Sequence, residues 1–91
     1  VHIPDTHKVT VKLIAEIAEA QESTIRDDQR LREDLGLDSL QSLELLSTIG
    51  EALKIDLDVE EAMAIRTVED ACAFVERQYA LERQNGRRGS H

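Results

Sequence analysis

Aromatic residues are scarce in this chain: Phe74 and Tyr79 make up 2% of it, and tryptophan is absent. A core without rings must be assembled from Leu, Ile, Val and Ala, which suits helix-on-helix packing. Cysteine occurs once, at Cys72, which excludes an internal disulfide and any CxxC metal or redox pair. Glycine occurs only at positions 36, 50, 86 and 89, so no phosphate-cradling glycine loop can be assembled. His2, His7 and His91 have no neighbours at metal-ligand or triad spacing. There is no HExxH, and Asp34 and Asp38 flank Gly36 without the other ligands of a calcium loop. That carboxylate pair could in principle do acid–base work, but nothing suggests a pocket to raise either pKa. A protein that is not itself an enzyme is expected. The longest apolar run, Ala71 to Val75, is far too short to cross a bilayer. No basic-then-apolar leader opens the chain. Bases number 11 against 19 acids, a net charge of −8. That deficit argues against nucleic acid and anionic membrane surfaces as partners. A monomeric, cytoplasmic, acidic domain is expected, and a chain this short buries about 60–65% of its unfolded surface.

The acids are concentrated. Residues 33 to 70 hold eleven of them against two bases, Lys54 and Arg66. The rest of the chain nearly balances. Such a stretch is either a solvated surface or one that steers toward a basic partner. Residues 1–82 are expected to form the domain and residues 83–91 a polar tail. Arg88-Gly89-Ser90-His91 resembles the start of an expression tag.

Four helices are expected. The first spans about Thr6 to Glu22, with Val9, Leu13 and Ile17 as its apolar stripe and Ile14 and Ala18 widening it. Asp5 or Thr6 caps it. Gln21 to Arg32 has no clean period and reads as a long loop anchored by Ile25 and Leu31. Loops of that length in small domains are often functional. The second helix runs from Ser39 to about Leu53, with Asp38 as N-cap and Gln41 completing a capping box. A short third helix covers about Val59 to Ala64, capped by Asp58. Thr67 opens the fourth, which runs to about Leu81 and buries Val68, Cys72, Val75 and Tyr79. The fold class is all-α: a four-helix bundle with three main helices, one short one, and a long first loop.

The second helix carries the informative pattern. At about 100° per residue, Ser42, Leu45, Leu46, Ile49 and Leu53 fall on one arc, the core face. Leu40, Glu44, Ser47 and Glu51 fall on a second, narrow stripe well away from it. Leu40 is thus a large apolar residue on an acidic face. A lone exposed Leu is common, so the spacing leaves its role open. Ser39 sits beside the unpaired N–H groups and positive end of the helix, a favourable place for a phosphate ester. Ser is also simply common at helix starts, and spacing alone leaves both readings standing.

Leu35-Gly36-Leu37-Asp38-Ser39-Leu40 resembles the attachment motif of the acyl carrier proteins. The likeness extends through Leu43-Glu44-Leu45, Glu51, Ile55-Asp56-Leu57-Asp58, Glu60-Glu61-Ala62 and Thr67-Val68-Glu69-Asp70, roughly residues 8 to 80. The resemblance implies a four-helix bundle with a long first loop. It implies that Ser39, positioned by Asp38, is esterified by 4′-phosphopantetheine, transferred from coenzyme A by a phosphopantetheinyl transferase. Acyl groups then ride as thioesters on the arm. The second helix would be the recognition element, which places that role on Leu40, Gln41, Glu44, Ser47 and Glu51. Acyltransferase or ketosynthase-type enzymes with basic docking surfaces would be the partners.

Three positions depart from the familiar fatty-acid carriers. Gln41 replaces an acid, Ser47 stands where Met is common, and Gly50 interrupts the acids at the end of the helix. These departures favour polyketide or mixed assembly over fatty-acid biosynthesis. An aminoacyl or peptidyl carrier is an alternative, although Asp38 is unusual before the Ser of peptidyl carriers. An unmodified helical adaptor is another, against which the intact Asp38-Ser39-Leu40 speaks.

Overall fold

The computed structural model describes residues 5–89, with side chains described through residue 84. His2 and the Ser90-His91 end of the expected tag remnant lie outside the described residues. Four α-helices follow in order: α1 (Thr6–Ala18), α2 (Ser39–Leu53), α3 (Val59–Ala62) and α4 (Val68–Gly89). Among the described residues there is no strand, only one isolated antiparallel bridge between Arg30 and Thr67. The expected all-α bundle with a short third helix and a long first loop is what forms.

Asp5, rather than Thr6, caps α1, its carboxylate accepting from the Lys8 N–H at 3.1 Å. The helix ends at Ala18, four residues before the expected Glu22. Glu19 turns left-handed (φ 57°), and the Ala20 N–H folds back onto the Ala15 carbonyl at 2.9 Å. The usual sequence signal for such a stop is glycine. Glu19 gives none. The buried line of α1 is also rotated from the expected one. Thr10, Ile14 and Ala15 are buried, while Val9, Leu13 and Ile17 sit half-buried at its edges. α1 packs on both α2 and α4, so the centre of its buried face lies between the two contacts. Thr10 tolerates complete burial because its hydroxyl donates to the Thr6 carbonyl at 2.7 Å.

The connection from α1 to α2 contains a 3-10 turn, Glu22–Thr24. Its remainder is pinned to the start of α4. The Leu31 N–H donates to the Arg66 carbonyl (2.8 Å), Val68 to Gln29 (2.9 Å) and Glu69 to Asp27 (2.9 Å). Leu31 is buried and Ile25 packs partly against the core, so both expected anchors hold. The Arg30 backbone N–H and guanidinium both donate to the Asp34 carboxylate, at 2.8 and 3.3 Å. These contacts hold the Asp34 carboxyl below its ordinary pKa, the backbone bond contributing most.

α2 matches its expected span. Its last turn closes because Gly50 lacks a side chain: a Cβ there would sit 2.9 Å from the Ile55 carbonyl oxygen. Lys54 takes the left-handed conformation (φ 58°), and the Ile55 N–H returns to the Gly50 carbonyl at 3.0 Å. α3 is shorter than expected, stopping at Ala62, with three-residue turns carrying the chain on to Ile65. At the start of α4, Asp70 accepts from the Arg66 and Thr67 N–H groups, and the Asp70 N–H donates to the Thr67 hydroxyl. α4 does not stop near Leu81 but continues to Gly89. Apolar periodicity reports burial, whereas an established helix extends into a polar sequence at little cost per residue. The core gathers Ile14, Leu31, Leu37, Leu45, Ile49, Leu53, Ile55, Val68, Ala71, Cys72, Phe74 and Val75. Tyr79, expected inside, is half-buried at its edge.

Candidate functional site

The start of α2 is fixed from three sides. Leu37 is buried and acts as a plug immediately before the helix. Its N–H donates to the Leu31 carbonyl at 2.9 Å, closing the turn through Gly36. Gly36 has φ +75°, a conformation that side-chain-bearing residues avoid. Asp38 then caps α2, its carboxylate accepting from the Gln41 N–H at 2.8 Å. The Gln41 carboxamide oxygen in turn accepts from the Asp38 N–H at 3.1 Å. This is the complete capping box expected from the sequence.

Ser39 is the first residue of α2 and is exposed. The box is closed by Asp38 and Gln41, so the Ser39 hydroxyl is not spent on capping. It stands beside helix-start N–H groups, where a negatively charged substituent is stabilised. The arrangement offers an accessible alcohol on a rigid element. Among the described residues no group of His, Cys, Asp and Glu is placed to hold a metal ion.

The other expected site residues fall mainly on one exposed face. Leu40 is 75% exposed, and Glu44, Ser47 and Glu51 are exposed along the same side of α2. Gln41 differs: it is half-buried, and its carboxamide is engaged with Asp38. Opposite them Leu45, Ile49 and Leu53 are buried, with Ser42 and Leu46 half-buried beside them. Three exposed apolar residues on or next to α2 and α3 escape the sequence reading. Leu43 is 50% exposed, Val59 50% and Met63 80%. Leu43 lies between the core arc and the acidic stripe on the helical wheel, and that angle was the available signal. Val59 opens α3 and Met63 directly follows it, and that helix is too short for periodicity to orient. An open groove of about 490 Å³ runs along α2 past Leu43, Leu46, Ser47 and Gly50, walled opposite by Ile55, Leu57 and Val59.

Cys72 is buried, and burial pushes its thiol up to about 11. It is a core residue, not a nucleophile. Among the described residues no helix is long and apolar enough to cross a membrane.

Comparison with known proteins adds independent evidence. Residues 9–75 match the family model described as phosphopantetheine attachment site. The acyl carrier protein of Treponema pallidum subsp. pallidum is 41% identical over 63 residues, 69% of this chain and 81% of the relative. The acyl carrier protein of Prochlorococcus marinus is 34% identical over 64 residues, 70% of this chain and 80% of the relative. Acyl carrier protein 3 of Ralstonia nicotianae is 33% identical over 64 residues, 70% and 74% of the two chains. Proteins of this family are carriers rather than enzymes, and 4′-phosphopantetheine is their group. An exposed, uncommitted hydroxyl at the start of α2 fits a covalently tethered group of that kind. Matched over most of its domain, and built around that helix start, the chain belongs to the acyl carrier protein family.

Proposed function

We propose that Ser39 is the attachment residue and that the chain shuttles acyl thioesters in polyketide assembly. The observation that carries the assignment is the start of α2. Asp38 and Gln41 satisfy the helix end between them, leaving an exposed Ser39 hydroxyl at its first position. In loading, the Ser39 oxygen loses its proton and bonds to the phosphorus that carries the pantetheine. The bond from that phosphorus to the nucleotide breaks, and adenosine 3′,5′-bisphosphate leaves. A phosphopantetheinyl transferase supplies the base and metal for that step. Asp38 holds the backbone that aims Ser39 outward.

Recognition falls on the exposed face of α2, through Leu40, Glu44, Ser47 and Glu51, with Leu43 beside them. Gln41 contributes chiefly to the cap. The partners are acyltransferase or ketosynthase-type enzymes with basic surfaces, and the protein works as a cytoplasmic monomer. Polyketide rather than fatty-acid work is supported by Gln41 and Gly50, which leave α2 less acidic than in the familiar fatty-acid carriers, and by Ser47 in place of the Met common there. Gly50 has a further reason of its own, the close approach of the Ile55 carbonyl.

Intact mass after incubation with coenzyme A and a promiscuous transferase tests the attachment. The native chain gains one phosphopantetheine and Ser39→Ala gains none, with unchanged helicity by circular dichroism. A mass gain in Ser39→Ala would move the attachment elsewhere, and no gain in the native chain would leave an unmodified adaptor. Faster malonyl loading by a polyketide-type than by a fatty-acid-type acyltransferase is expected, and the reverse order would overturn the pathway.

A further inference from the structure

α3 is the least supported helix of the fold. It has four residues, none of them buried. A helix of one turn does not hold itself together in water, and α3 shares no extensive interface with another helix. Its position therefore depends on ties at its ends, on its own partly buried Ala62, and on the partly buried Leu57 and Ile65 that flank it. One tie reaches across to α4: the Arg77 guanidinium donates to the Glu61 carboxylate. The Arg77 guanidinium, although exposed, also lies 5.9 Å from the centre of the Phe74 ring, at the outer reach of a cation–π contact, and Phe74 is buried. The anchor thus sits on a helix whose neighbouring turn is buried in the core, while the element it restrains has no fully buried residue. Ile55 and Leu57, which lead into α3, and Val59, its first residue, form the wall of the groove that faces α2.

We propose that the Glu61–Arg77 pair is a latch that holds α3 against α4 and so sets the width of the groove along α2. Releasing it loosens residues 57–65 without unfolding the three long helices. The groove then widens, and Val59 in its lining changes its presentation. An exposed ion pair contributes little to global stability. Here a small contribution matters, because local opening of such a segment needs far less energy than unfolding of the core. The proposal concerns the fold of the unmodified chain, so its test is independent of whether Ser39 is the attachment site.

Amide hydrogen exchange resolved by residue, on the full unmodified chain, tests the latch. Glu61→Gln and Arg77→Gln are each expected to speed exchange at residues 60–65 by about two- to fivefold, the range an exposed pair can supply. Amides of Ile14, Ile49 and Val75 should keep their native rates. The double variant should be no faster than either single one. The charge swap Glu61→Arg with Arg77→Glu should recover part of the protection. Unchanged exchange at 60–65 in both single variants would overturn the proposal. So would an equal rise in the α1, α2 and α4 amides, which would mark a global loss of stability.

Discussion

Leu40 and Ile49 lie on the same helix and meet opposite fates. Leu40 is 75% exposed and Ile49 is 1% exposed. A buried large-to-small change costs about 2–5 kcal/mol, whereas an exposed one usually stays within about 0.5 kcal/mol. Ile49→Ala should therefore lower the urea midpoint strongly while Leu40→Ala leaves it nearly unmoved. Leu40→Ala should still impair acyl transfer, because an apolar anchor ringed by charge is what an interface hot spot requires. Equal unfolding midpoints would refute the face assignment. Gly50 sets up a second contest at this scale. Replacing glycine by alanine inside a helix normally gains about 1 kcal/mol. At Gly50 the new methyl would meet a backbone oxygen 2.9 Å away, and that carbonyl belongs to buried Ile55. Overpacking of this kind costs about 1–3 kcal/mol, so Gly50→Ala should be net destabilising in denaturant titration. A gain in stability would show that the turn after α2 yields freely.

Among the elements, α2 depends most on its cap. Asp38 satisfies the Gln41 N–H, and Gln41 returns a bond to the Asp38 N–H. Asp38→Ala should lower stability by about 0.5–2 kcal/mol in thermal or urea unfolding. It should also slow phosphopantetheine loading at saturating coenzyme A, because the box fixes the backbone from which Ser39 projects. An unchanged unfolding curve would show that the box is ornamental. The capping box, the span of α2 and the Asp58 and Thr67 starts were all legible in the sequence, since each rests on side chains within three residues of the backbone they serve. The ends of α1, α3 and α4 were not. Glu19 stops α1 by a left-handed turn without glycine, and α4 continues where no burial demands it.

At the scale of the molecule the charge is the leading feature. Residues 33–70 hold eleven acids against two bases, and Glu44 and Glu51 stand on the exposed face of α2. Among the described side chains only Asp34 with Arg30 and Glu61 with Arg77 form ion pairs in that stretch. Association with a basic partner enzyme should therefore weaken as salt is raised, mostly through a slower on-rate. Titration against the transferase at low and high ionic strength would show it, and equal affinities would exclude steering.

Composition, periodicity and cap spacing determined the class of fold, the start of α2, and the separation of its core and acidic faces. Those properties are local: they depend on residues within a turn or two of one another. Tertiary structure decided the rest. It rotated the buried face of α1 toward Thr10 and Ile14, because two helices press on it at once. It pinned the long loop to the start of α4 through backbone bonds that leave no trace in side-chain pattern. It exposed Val59 and Met63, and it brought Glu61 to Arg77 across sixteen positions of chain. None of these follows from spacing, because each is set by which elements meet in space.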